Sequence, residues 1–272
     1  MTHRHWSRAL LWAQWVLLTA IVFAGLALRF GLLHFGMAFK VFTYAGLAAL
    51  AIALAGLFVF VWGVRSHNVD ARSNALWAVL LGLLPVAVPL MTVGKDNFSV
   101  PRIHDISTDT RNPPQYRAIL ALRKAGDNSA EYGGEPVARL QRGVDVYADI
   151  MPLQVQLPVV RTTELAAEVA EELGWKLVSY QPERGYLEAV DRTRLLGFSD
   201  DIVVRVQAED NGGSRVDVRS SSRVGVSDLG ANAKRIRVFL EALHHRAKSV
   251  HNSASVRLWG PVYRNPLGWV SV

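Results

Sequence analysis

The chain has no cysteine among its 272 residues. Disulfide staples and thiolate-held metals are therefore excluded, while the compartment stays open, since a cysteine-free chain suits any redox environment. Acidic residues are nearly missing from the first third. Residues 1–94 carry only Asp70 against Arg4, Arg8, Arg29, Lys40, Arg65 and Arg72, which places +5 of the formal +7 charge there. Residues 95–272 hold 24 Lys and Arg against 22 acids. A half so nearly balanced is poor material for a phosphate-backbone binder, and nucleic acid is excluded as a partner.

Apolar residues, by contrast, make up 50% of the chain, too many for one ordinary soluble domain. Three uncharged runs account for the excess: residues 9–28, 41–63 and 75–94. Each reaches the roughly 20 residues that a helix needs to cross a hydrocarbon core, and the lipid bilayer is the partner this implies. Arg4 and Arg8 before the first run also fit a signal peptide, but two further runs follow and the first is long for an h-region. Pro85 and Pro89 are expected to kink the third span. Ala45, Ala49 and Ala53 recur every four residues in the second, either as a small stripe for close helix contact or as the ordinary abundance of alanine in such helices. The basic flanks are almost evenly divided between the two sides. The amino end of the first span is the more basic, which places the N-terminus in the cytoplasm and the C-terminal domain in the periplasm of a bacterial inner-membrane protein.

Residues 95–160 form an irregular connecting segment, expected to pack on the domain that follows. "TRNPPQY" (110–116) and "EYGGEP" (131–136) interrupt any long element. A short helix is predicted from Gln115 to Lys124, and "DVYADIMPLQVQLP" (145–158) looks extended and ends at Pro158. Residues 161–272 read as an α+β domain. Thr162 or Thr163 can cap a helix running through Leu173, with Gly174 ending it. Four strands follow: "WKLVSYQ", "GYLEAV", "DIVVRVQA" and "RVDVRSS". Leu229, Ala233, Ile236, Leu240 and Leu243 then lie at helical spacing. The fold class is an N-terminal α-helical membrane region followed by an antiparallel four-stranded sheet with helices on one face.

Period two sorts the strand side chains. Ile202, Val204, Val206, Val216 and Val218 face the helices. Arg205, Asp217 and Arg219, with Glu188, face the other way as a ladder of alternating charge. Such a ladder is expected to be an ion network in water; the alternative is that residues 95–160 or a partner cover it and fix a polar site.

The blocks "VPRIHDISTDTRNPPQY", "YADIMPL", "LGW", "EAVDRT", "GFSDDIVVRV" and "VDVRSSSRVGVSDLGANAKRIRVFL", in that order across residues 100–245, resemble the bacterial family called domain of unknown function 1499. Members commonly carry an N-terminal membrane segment. The resemblance implies no reaction, cofactor or partner protein.

The stretch 216–236 concentrates the candidate polar or anion site: Arg205, Asp217, Arg219, Ser220, Ser222, Arg223 and Asp228. Arginine forks and glycines before a helix can cradle an anion. The competing reading is a strand end and a helix capped by Ser227 or Asp228, its arginines answering carboxylates. Ser220, Ser221 and Ser222 would need a base to act as nucleophiles. His104 is the one histidine in a family-like block, and no G-x-S-x-G elbow occurs. Glu188, Asp191, Asp200 and Asp201 form a candidate acidic cluster, but their spacing matches no EF-hand loop and arginines stand close by, so pairing is expected and no metal or cofactor is implied. The aromatic tail 257–272 is suited to packing on the domain, on a partner or at the bilayer interface, where Trp259, Tyr263 and Trp269 would be at home. The functional expectation is a non-enzymatic binding or scaffold module of the cell envelope. An envelope hydrolase or transferase, or an anion- or lipid-binding domain using residues 219–228, stands against it. Envelope proteins or an anionic or lipid ligand are the further partner classes.

Overall fold

The structure, a computed structural model, describes residues 6–258 apart from Arg194, and the side chains of Asp96 and residues 253–258 lie outside the description. The tail residues Trp259, Tyr263 and Trp269 fall beyond it. The chain divides into two units, residues 1–100 with 192–199, and residues 101–191 with 200–272.

In the first unit the three uncharged runs are helices α1 (Arg8–Arg29), α2 (Phe35–Arg65) and α3 (Val69–Val93), each long and apolar enough to cross a membrane. Capping explains two of their starts. The His34 imidazole accepts the Gly36 N–H, and the Asn68 side chain accepts that of Ala71 at 2.9 Å. Small residues are inside and large ones outside. Ala45, Ala49 and Ala53 of α2 are buried with Ala71, Ala75, Ala78 and Gly82 of α3, while Trp12, Phe23 and Phe58 are exposed. This inversion of a soluble core is what close helix packing in lipid requires. The buried Gln14 side chain on α1 donates to the carbonyls of Ala49 and Ala78, both at 2.9 Å, so one amide joins all three helices. Helix α3 runs through Pro85 and Pro89 without ending.

The second unit is built on one antiparallel sheet. Its strands are β1 (Asp105–Ser107), β2 (Leu153–Val155), β3 (Lys176–Gln181), β4 (Tyr186–Arg192), β5 (Ser199–Ala208) and β6 (Ser214–Ser222). The order is β1-β6-β5-β4-β3, with β2 also on β6. The expected four strands are present as β3 to β6, and the count rises to six. β1 pairs with Arg219–Ser221 and β2 with Ser214–Val216, end to end along the same edge of β6. Each has three residues, too few to show a period. Gln141 of helix α4 (Gly134–Arg142) finishes that edge: its amide accepts the Ser107 N–H and donates to the Ser107 carbonyl, as a further strand would.

Helices α5 (Val159–Glu172) and α6 (Ala231–Leu258) complete the fold. The start of α5 is earlier than expected. Pro158 is its N-cap, and Thr162 and Thr163 lie inside the helix, their hydroxyls donating back to the carbonyls of Leu157 and Val159. Proline presets the extended entry, so the threonines are not needed as caps. Leu229 has positive φ and precedes α6 rather than joining its stripe. Residues 118–122 are a short 3-10 helix, and a second 3-10 turn at Asp145–Tyr147 interrupts the stretch read as extended. Ile202, Val204, Val206, Val216 and Val218 are buried together with Leu165, Val169, Ile236, Phe239 and Leu243, as the period-two reading required. On the opposite face Tyr116, Ile119, Tyr186 and Val203 make a second apolar cluster.

Candidate functional site

The charged ladder is not in water. Glu188, Asp217 and Arg219 are fully buried, and backbone and side-chain groups of residues 105–132 meet them. Exposure was the expected state, and it is overturned because the turn-rich segment folds back over the sheet.

Arg219 is at its centre. Its guanidinium donates Nε to Asp105 Oδ1 at 2.9 Å and Nη2 to Oδ2 at 2.6 Å, a two-point fork. Nη1 and Nη2 donate further to the carbonyls of Pro114 and Ala130. The rings of Tyr116 and Tyr132 lie 4.6 and 5.4 Å from Arg219 Cζ, giving the cation two aromatic faces. Burial pushes the Tyr132 phenol up to about 12, and moves Tyr116 further in the same direction, so both rings stay neutral. Beside them, Asp201 accepts Arg123 Nε at 2.8 Å on one oxygen and Nε and Nη2 of Arg223, at 2.9 and 2.6 Å, on the other. Burial nevertheless raises the Asp201 carboxyl above its ordinary value, the two arginines opposing that shift.

Among the described residues Glu188 has no arginine partner. It accepts the backbone N–H groups of Arg117, Ala118 and Ile119 at 2.7, 3.1 and 2.6 Å, and the Tyr186 hydroxyl at 2.8 Å. It thereby caps the 3-10 helix at Ala118–Leu122, whose free N–H groups suit a carboxylate. Arg205 and Arg215 share Asp109 and Asp217, all four distances lying between 3.0 and 3.3 Å.

The remaining candidates are on the helix side of the sheet. Ser220 Oγ donates to Asn232 Oδ1 at 2.7 Å, and Asn232 Nδ2 donates to Ser222 Oγ at 3.0 Å. Arg235 reaches Asp191 at 2.8 Å and Asp200 at 2.6 Å. Asp228 accepts the N–H groups of Gly230 and Asn232 at 3.0 and 2.7 Å, the capping role foreseen for it at the start of α6. Its carboxyl is raised by burial, with those N–H bonds acting the other way.

The seven residues of the candidate polar site therefore do not converge. Arg205, Asp217, Arg219 and Arg223 serve the outer face, and Ser220, Ser222 and Asp228 the inner one. The acidic cluster divides likewise, Glu188 and Asp201 outside, Asp191 and Asp200 inside. Ser221 accepts from Arg123 on the outer face. His104 enters through its backbone carbonyl, which accepts the Ser222 N–H and Asn232 Nδ2, and among the described residues no imidazole–serine hydrogen bond is formed. No group of three histidine or acidic side chains is placed to hold a metal among the described residues. Asp105, Tyr116, Arg123, Asn232 and Arg235 escaped the sequence reading. Asn232 and Arg235 did leave a trace, an i, i+3 polar pair beside the apolar stripe of α6.

A family model described as "Protein of unknown function (DUF1499)" matches residues 105–243, a span that opens on the carboxylate facing Arg219 and includes every ion pair above. No curated protein matches the chain.

Proposed function

The chain belongs to the DUF1499 family, and from its own side chains we propose that it is a membrane-anchored binding or scaffold module of the bacterial cell envelope. Helices α1 to α3 hold it in the inner membrane, and the sheet domain works on the periplasmic side. The observation that carries this reading is the closure of Arg219 on Asp105, two carbonyls and two tyrosine rings. A buried guanidinium that spends four of its five N–H donors internally holds a scaffold together rather than offering itself to a substrate. The serines support the same view, since each exchanges hydrogen bonds with an amide or an arginine rather than with a base. The test is complementation of a deletion strain with Ser220→Ala, Ser221→Ala and Ser222→Ala, each at checked abundance. All three should complement. A single serine whose loss abolishes complementation at normal abundance would replace this reading with the envelope hydrolase or transferase.

A further inference from the structure

We propose that a cavity beside the ladder, framed by Arg117, Arg184 and Arg205, binds a phosphate group. The cavity has a volume of about 240 Å³, and Tyr186, Gln115 and Gln207 also line it. That is below the usual range for drug-sized ligands, roughly 300–1,000 Å³, and suits a small anion or a headgroup. Among the described residues no acidic side chain lines it.

The arginines differ from those of the ladder in what they have left to give. Arg219 and Arg223 are committed to carboxylates, whereas Arg117 and Arg184 are exposed and make no ion pair among the described residues. Arg117 is held by stacking its guanidinium 4.7 Å from the centre of the Tyr186 ring, which positions the group without using its donors. Arg184 ends the 3-10 turn Pro182–Arg184, and the Gly185 carbonyl then accepts the Val206 N–H at 2.7 Å, setting the turn against β5 beside Arg205. Arg205 gives Nη2 to Asp109 and Asp217, but its Nε is buried with no hydrogen-bond partner, as is Nε of Arg215, which shares the same aspartates. A buried donor without an acceptor is costly, and an anion's oxygen would relieve it.

The charge balance agrees. Arg205 and Arg215 are matched by Asp109 and Asp217, and Glu188 touches the lining through Tyr186 and the Arg117 N–H. Four arginines against three carboxylates leave one positive charge over, and the two guanidiniums that pair with no carboxylate among the described residues are the exposed ones, Arg184 giving only one long bond to Gln181 at 3.4 Å. Guanidinium forks converging from three elements suit a phosphate, with its several acceptor oxygens, better than a carboxylate, which one fork satisfies. A lipid headgroup and a free phosphate present the same chemistry. The inference rests on the binding-module reading for its use in the cell, though not for its chemistry.

The experiment uses the full chain in a neutral, phosphate-free detergent, with chloride held constant. Isothermal titration with inorganic phosphate and, separately, with short-chain dihexanoyl phosphatidylglycerol should show saturable binding of at least one probe. The double variant Arg117→Gln, Arg184→Gln should keep the wild-type melting curve, since neither side chain is buried or ion-paired, and should bind about tenfold more weakly or worse. Saturation by inorganic phosphate identifies the free ion as sufficient, and saturation by the lipid alone identifies a headgroup. Both uphold the site. No saturable binding of either probe to the wild type, or equal binding by the double variant, overturns it, and neither of these results alters the serine complementation test.

Discussion

Arg219 ranks first by volume among the fully buried side chains of the described residues, and its charge is tolerable there because Asp105 meets it with two oxygens. Removing one partner of such a pair strands the other. Arg219→Ala should therefore cost about 3–5 kcal/mol in denaturant unfolding of the detergent-solubilised chain. A loss of about 1 kcal/mol or less would mean that the pair behaves as a surface ion pair. The Arg219→Met, Asp105→Leu double variant should be less damaged than the single one, because it leaves no charge unanswered. Strand alternation alone identified Arg219 as one of a charged row. Its partner was not legible, because Asp105 lies 114 residues away and no local spacing connects the two. Asp228 offers a test by pH. Burial raises its folded value above that of an ordinary aspartate, so the folded chain holds this proton more tightly than the unfolded one. Its contribution to stability is then greatest below about pH 4 and declines as pH rises through the raised value. Asp228→Asn should lose a constant amount by giving up one N–H acceptor, but should not share the decline. Thermal melts from about pH 4 to about pH 7 should show the variant gaining on the wild type. A gap independent of pH would refute the direction of the shift.

At the scale of elements, legibility followed length. The three apolar runs, the strands β3 to β6 and helix α6 each repeat their pattern several times, so burial imprints a readable period. β1 and β2 hold three residues each and owe their conformation to the edge of β6. The Thr162–Thr163 cap failed for a related reason: a hydroxyl can bond backward inside a helix as readily as forward at its start. The α2–α3 pair allows a direct test of close packing. A Cβ on Gly82 would lie 2.6 Å from the Ala49 carbonyl oxygen and 2.7 Å from Ala53 Cβ, and would also meet the Gln14 amide. Gly82→Ala should force the two helices apart at about 1–3 kcal/mol, seen as a lower melting midpoint in detergent. Leu47→Ala, on an exposed position of the same pair, should leave that midpoint nearly unchanged.

For the whole molecule, the separation of charge is the organising fact. A basic, apolar third precedes a nearly neutral remainder, whose buried charges Asp217 and Arg219 are answered internally. The proposed orientation predicts that a phosphatase active only outside the cytoplasm, fused after Val272, will be active, and that a fluorescent protein that matures only in the cytoplasm will be dark at the same position. The reverse pair of results would place the sheet domain in the cytoplasm. The end-to-end seating of β1 and β2 on β6 also has a consequence in time. β1 is synthesised early, yet its ladder partner emerges about 114 residues later, a delay on the order of ten seconds at ordinary rates of translation. Throughout that interval the chain carries Asp105 without Arg219, and the 105–155 segment without the edge that gives its strands their shape. Sequence-distant pairing of this kind slows folding, so the nascent domain is most exposed to proteases and to misassociation just before its last strand is made.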